Sequence, residues 1–182
     1  FFGMSKKLIY IVFLMIFCSF SFLSCEEEFM DTKRFGEEQL KKIAMEPDIQ
    51  HTASGILYRV IEENESAPPT PEIPGAMRAE YYWYFLNGEK ITSSVQKKYR
   101  VEEGDTIWYE DKIGVIYYSA VPAGLQEIVR KMKVGDHYEF YLPYELAFGK
   151  EGTAQSVNID PYTAIKIDFR LFEVWPATSM SN

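Results

Sequence analysis

Apolar and polar residues alternate with a period of two over three stretches of the chain. In Thr163 to Val174, Ile165, Ile167, Phe169 and Leu171 point one way, and Lys166, Asp168 and Arg170 the other. Ala76 to Leu86 puts Met77, Ala79, Tyr81, Trp83 and Phe85 on one face, and His137 to Leu142 does the same with Tyr138, Phe140 and Leu142. This is the pattern of half-buried strands. Asn87-Gly88 closes the second stretch with a strong hairpin signal, and Glu89-Lys90-Ile91 starts the return strand. The run Ile56 to Ile61 predicts a first strand over Gly55 to Glu62. Thr106 to Tyr109 and Val115 to Tyr118 predict two more, joined by a charged turn at Glu110-Asp111-Lys112.

Helical spacing occurs twice. Leu125, Ile128, Val129 and Met132 share one face of a helix predicted over Gly124 to Met132, with Gly135 as its stop. Leu40, Ile43 and Ala44 have the same spacing in a short spacer helix, Glu37 to Met45, ended by Pro47. Pro68, Pro69, Pro71 and Pro74 fall within seven residues, which no strand ladder tolerates, so a polyproline-like loop is expected there. Residues 149–161 form a second loop. Many antiparallel-capable strands with one short central helix make an α+β fold, a curved sheet wrapped on a helix.

The amino end is patterned differently. Ser5-Lys6-Lys7 is a basic start, Leu8 to Phe17 is continuously apolar, and the 16 residues from Leu8 to Leu23 are short for a membrane-spanning helix. Phe22-Leu23-Ser24-Cys25 resembles a bacterial lipobox, which implies a signal peptide over 1–24 and a lipid on Cys25. An ordinary signal peptide or a short anchor helix is the other reading. Residues 25–54 are then a polar leader, 55–176 the folded domain and 177–182 a tail. Glu26-Glu27-Glu28 resembles the acidic export tag of surface lipoproteins, and equally suits a solvated linker.

Composition narrows the chemistry. The 182 residues are 47% hydrophobic and 25% charged, which excludes a disordered tail, a collagen-like chain and a disulfide scaffold. Cleavage before Cys25 removes one of the two cysteines and commits the other to lipid, so thiol catalysis and cysteine-type zinc sites are excluded. The full chain carries 19 basic and 27 acidic residues; losing Lys6 and Lys7 leaves 17 against 27, a net charge of −10. With no basic patch, a nucleic-acid partner is not expected. Aromatic residues, at 16%, suit a core or a pocket for apolar or proline-containing ligands. His51 and His137 lack ligand-spaced partners, and His137 is expected on an exposed strand face. Glu102-Glu103 and Asp111 are expected to be solvated loop charges. No cofactor is implied. Tyr81-Tyr82-Trp83-Tyr84-Phe85 is expected to be mainly core plus a covered outer face, with a carbohydrate platform as the lesser reading.

Three segments together resemble the FKBP-type peptidyl-prolyl isomerases. They are Ser54-Gly55-Ile56-Leu57-Tyr58-Arg59-Val60; Pro122-Ala123-Gly124-Leu125-Gln126-Glu127 running into Lys131-Met132-Lys133-Val134-Gly135-Asp136; and Tyr141-Leu142-Pro143-Tyr144-Glu145-Leu146-Ala147-Phe148-Gly149. With the lipobox and the proline loop, the resemblance is greatest to gliding-motility-associated lipoproteins of that family. It implies an FKBP-like sheet around one helix, an apolar bowl that takes up a prolyl ring, and proline-containing polypeptides as partners. An outer-membrane lipoprotein of a Gram-negative bacterium, facing the periplasm or the cell surface, is the implied location.

The resemblance also implies site residues. Tyr81, Leu125 and Phe148 are the implied catalytic positions; Ile91, Thr92, Val121, Pro122, Ile159 and Ile167 are the implied substrate-binding positions. Several depart from the family pattern: Ile91 stands for a usual Phe, Thr92 for an Asp, Leu125 for a common Trp and Phe148 for a Tyr. Pro122 sits where a backbone N–H is normally offered, unless the match shifts by one residue. Two functions therefore stay open: a prolyl isomerase assisting exported or surface proteins, and a catalytically weak or inactive binding or chaperone module on the same fold.

Overall fold

Two long strands organise the molecule because their apolar alternation is the longest uninterrupted in the chain. In the computed structural model, which describes residues 29–68, 74–154 and 157–177, they are β3 (Pro74–Phe85) and β9 (Ile165–Pro176). They pair antiparallel along nearly their whole length. On the free side of β9 follow β8 (His137–Leu142), β2 (Leu57–Glu62) and β1 (Gln50–His51), all antiparallel. On the free side of β3, β4 (Lys90–Ser93) pairs near the carboxyl end and β7 (Gly114–Tyr117) near the start. Asn87-Gly88 makes the predicted turn: Gly88 has φ +91° and Glu89 N–H donates to Asn87 Oδ1 at 2.9 Å.

The helix α2 (Ala123–Val129) lies across the concave face of this sheet. Leu125, Ile128, Val129 and Met132 are fully buried against Met77, Phe140, Ile165, Ile167, Phe169 and Leu171. The fold is thus the expected α+β arrangement. The helix ends at Val129, a turn earlier than predicted; Gly135, at φ +101°, instead aims the chain so that its N–H donates to Leu171 O at 2.7 Å. Gly124 sits where Leu142 leaves no room: an added Cβ would come within 2.5 Å of Leu142 Cδ2.

Other expectations are corrected. The leader helix is α1 (Met30–Ile43), starting seven residues before the predicted Glu37, and it is not a free spacer. Gly36 is buried on the domain, where a Cβ would stand 3.1 Å from Ala164 Cβ. Lys33 Nζ lies over the edge-on pair Tyr144 and Tyr162, 5.6 and 5.8 Å from the ring centroids. Beyond α1, Arg59 pairs with Glu46 and Asp48, which ties the connection into β1 to the sheet. The described residues therefore contain the two α-helices that the helical spacing predicts, the first longer than predicted and docked on the domain.

Residues 92–120 are built differently from the prediction. β6 (Asp105–Asp111) does not pair with β7 but with β5 (Gln96–Glu102), a strand whose polarity hid it. Together they form a separate ribbon outside the main sheet, with Tyr99, Val101 and Trp108 more than half exposed. Glu103 and Gly104, at φ +52° and +91°, make its turn. Asp111 is no loose loop charge: it pairs with Lys98 and accepts from Ile113 N–H at 3.2 Å.

The apolar run of residues 8–23, Cys25 and residues 69–73 of the proline loop lie outside the described residues. Pro74 itself is buried as the first residue of β3. Among the described residues no helix is long and apolar enough to cross a membrane.

Candidate functional site

The candidate site forms where β3 and β4 run beside the loop after β8. Trp83 on β3 is the direct cross-strand partner of Thr92 on β4, so their side chains are neighbours on one face. Ile91 precedes Thr92 on the same strand. A 3-10 turn at Tyr144–Leu146 swings the chain so that Phe148 packs on Trp83, ring centroids 6.0 Å apart and tilted by 48°. A strap closes the recess: Thr153 and Ile159 exchange both backbone hydrogen bonds at 2.8 Å. Gly152, at φ +64°, permits that pairing, since a Cβ there would collide with the carbonyl of Ile159.

The recess has a volume of about 230 Å³ and is lined by Trp83, Ile91, Thr92, Ala120, Phe148, Thr153, Val157 and Ile159. It is smaller than the roughly 300–1,000 Å³ of sites for drug-sized ligands. Its scale is that of one inserted side chain. A larger recess, about 410 Å³, lies between α1 and the β3–β4 turn. Its walls mix Asp31, Glu89 and Asp160 with Phe35 and Phe85, so it is a seam between packed elements and lacks a continuous apolar wall.

Four implied site residues thus meet in one place: Ile91, Thr92, Phe148 and Ile159. The other five do not line the recess. Leu125 and Ile167 are fully buried core residues, and Val121 is 6% exposed in the same core. Pro122 is buried as the residue before the first turn of α2, and its carbonyl accepts Gln126 N–H at 3.1 Å. Tyr81 is half-buried between Trp83 and Phe169, at centroid distances of 6.2 and 6.4 Å. Burial pushes its phenol above the ordinary value, so it stays a protonated donor.

Trp83 is the residue that sequence reasoning missed. The aromatic run places it in the core, and it is 8% exposed, yet it lines the recess. Its Nε1 is a buried donor without a partner. Period-two alternation assigns a residue to the inner face but does not say whether that face is covered by helix or left open. The aromatic run alone carried no such signal.

The approach to α2 is braced by polar contacts. A 3-10 turn at Tyr118–Ala120 sets Tyr118, whose hydroxyl donates to Gln126 O at 3.0 Å and accepts from Arg130 Nε at 2.7 Å. Gln126 Nε2 donates to Val121 O at 2.9 Å. His137 is not on an exposed face as expected: it is half-buried, with Nε2 2.8 Å from Asp168 Oδ1 and Nδ1 3.3 Å from Arg170 Nη2. That network lies outside the apolar recess. Among the described residues no three of His, Cys, Asp or Glu are grouped to hold a metal ion.

Comparison with known proteins agrees with this fold. The sequence profile of the FKBP-type peptidyl-prolyl cis-trans isomerase family matches residues 71–171. The FKBP-type 22 kDa peptidyl-prolyl cis-trans isomerase of Escherichia coli is 27% identical over 139 residues, 76% of this chain and 59% of that protein. FkpA of the same organism, an FKBP-type peptidyl-prolyl cis-trans isomerase, is 23% identical over 152 residues, 84% of this chain and 50% of its own length. The chain therefore spans little more than half the length of these curated relatives. The crystal structure of E. coli FkpA superposes with a TM-score of 0.65 at 21% identity, covering 96% of this chain and 75% of that one. A peptidyl-prolyl isomerase structure from Pseudomonas syringae superposes with 0.58 at 19% identity, covering 81% and 96%. At such identities the superpositions show the FKBP-like fold alone.

Proposed function

The chain belongs to the FKBP-type peptidyl-prolyl cis-trans isomerase family, and on that premise we propose that it isomerises X-Pro bonds in exported polypeptides. The observation that carries the reading is the recess itself: an apolar cup of single-residue size on an isomerase fold, walled by Trp83, Ile91, Phe148 and Ile159. An X-Pro bond isomerises through a twisted amide over a barrier of about 20 kcal/mol. Twisting breaks amide resonance and reduces the carbonyl dipole. An apolar cup that holds the prolyl ring removes water from the amide, and water favours the more polar planar form. The twisted form is then bound more tightly than the planar one, and the difference lowers the barrier. The step needs no acid, base, metal or covalent intermediate.

A specific observation favours a second reading, binding without turnover. No carboxylate and no phenol lines the recess among the described residues, since Thr92 and Phe148 stand where the family resemblance implies Asp and Tyr. The same cup would then hold a proline or an apolar side chain of a client. Lipidation at Cys25, an envelope location and the gliding-motility-associated subtype belong to this proposal as well. They are supported by the lipobox-like Phe22 to Cys25, the proline-rich 68–74 and Pro122 to Glu127.

The test is cis/trans exchange in a proline tetrapeptide, followed by NMR, with the processed chain added. Acceleration is expected, and its absence at high protein concentration overturns the isomerase reading. Thr92→Asp with Phe148→Tyr then decides the second reading: activity gained from none identifies a protein that binds without catalysing.

A further inference from the structure

We propose that Trp83 is the substrate-contacting floor of the recess, its indole ring receiving the prolyl ring and its N–H donating to a backbone carbonyl of the bound segment. The inference rests on the isomerase reading above and deepens it by naming the residue that makes the polar contact.

Two observations converge on Trp83. It lines the recess while remaining 8% exposed, which places the ring at the base of the cup and not at its rim. Its Nε1 is also the one buried side-chain nitrogen or oxygen among the described residues that lacks a hydrogen-bond partner. An indole nitrogen can only donate, so no rearrangement of its own proton satisfies it. Buried donors are otherwise paired, and an orphan on a residue that lines a cavity is destabilising until an acceptor arrives.

A proline-containing segment is the ligand chemistry that answers this demand. Proline has no N–H, so the stretch around it is poor in donors and retains its carbonyl acceptors. Its ring is compact and apolar, and packs on an aromatic face. Ile91, Ile159 and Phe148 supply apolar wall and no hydrogen-bonding side chain. Two rings lie against the indole, Tyr81 and Phe148, and of these Phe148, half-buried on the loop after the Tyr144–Leu146 turn, is the one that also lines the recess. An outward swing of Phe148 is the motion that uncovers the donor as the segment enters.

The experiment titrates the isotope-labelled processed chain with the tetrapeptide Ala-Leu-Pro-Phe. The three tryptophans give three indole N–H resonances, two of them reporting Trp108 and Trp175 elsewhere in the molecule. The Trp83 indole resonance is expected to shift saturably, together with the methyls of Ile91 and Ile159. Trp83→Phe keeps a ring and removes the donor, and is expected to weaken peptide binding about threefold to tenfold. The proposal is overturned if the Ile91 and Ile159 methyls shift while the Trp83 indole does not, or if Trp83→Phe binds as tightly as the parent. A titration that moves no recess resonance overturns the isomerase reading and this inference with it. Should Trp83→Phe fail to fold, the titration of the parent chain decides alone.

Discussion

Gly149 and Gly152 lie three residues apart in the strap over the recess, with φ of +69° and +64°, and differ only in what surrounds them. Around Gly149 an added Cβ meets nothing within 4 Å; at Gly152 it would strike the carbonyl of Ile159. Gly149→Ala should cost only the left-handed backbone penalty, about 1–2 kcal/mol. Gly152→Ala must also break the Thr153–Ile159 pairing. It should lower stability further and weaken peptide binding, as urea unfolding and titration would measure. Equal losses at the two glycines would show that the strap does not shape the recess. Glu139 makes a second residue-level case. Burial pushes its carboxyl up, but hydrogen bonds from Lys166 and Tyr141 and the charge of Arg59 outweigh this and hold it below the ordinary value. A carboxyl depressed in the folded state contributes stability above its unfolded pKa of about 4.3, and loses it as pH falls through the lower folded value. Glu139→Gln should therefore flatten the fall in stability below about pH 4.3, measured by thermal unfolding across pH 2–7. An unchanged acid limb would assign that fall to other carboxylates.

The β5–β6 ribbon tests the same physics at the scale of an element. Every residue of β5 is exposed, and all of β6 but Asp111. What holds the ribbon is its own ladder, the Tyr99–Trp108 ring contact at 5.2 Å and the Lys98–Asp111 pair. A lone two-stranded ribbon is marginal in water. Its ladder amides should exchange with solvent orders of magnitude faster than those of β3 and β9, as hydrogen exchange would record. Equal protection would mean that an undescribed contact covers the ribbon. The ribbon also shows where the sequence was opaque. β3, β8, β9 and α2 were legible because each has one covered face, so burial writes a period into its residues. Gln96 to Glu102 has no covered face, hence no period that marks β5, and without β5 the only apparent partner for β6 is β7. Helix α1 was legible only in its carboxyl half, through Leu40 and Ile43, and its start and docking were hidden for a related reason. It touches the domain through Gly36 and the ammonium of Lys33, and small or charged residues do not register as an apolar stripe. The recess was legible in four residues through family resemblance. Trp83 was not, because alternation separates inside from outside and does not separate core from cavity wall.

At the scale of the whole molecule, the docking of α1 changes what a lipid on Cys25 would do. Had the leader been a flexible tether, residues 26–53 would let the domain range far from a membrane. Instead α1 begins at Met30, and Gly36 is packed on Ala164. Only the four steps from Cys25 to Phe29 separate the proposed anchor from the described residues, and at about 3.5 Å per residue they span at most about 14 Å. On the proposed anchor the domain would be held against the bilayer surface. Cleaved before Cys25 as proposed, the chain would keep no cysteine but Cys25, which the lipid would occupy, so Lys41→Cys on α1 gives a single labelling site away from Gly36. Energy transfer from a dye there to headgroup-labelled vesicles should be strong, and should fall when a 20-residue Gly/Ser segment is inserted after Glu28. Gly36→Leu, which overpacks the contact with Ala164, should free α1 and lower the transfer while leaving the lipid in place. Strong transfer unaffected by either change would mean that another surface of the domain binds the membrane. Transfer that is weak from the outset would mean that α1 undocks in solution or that Cys25 is not the anchor, and flotation of the vesicles separates those two outcomes.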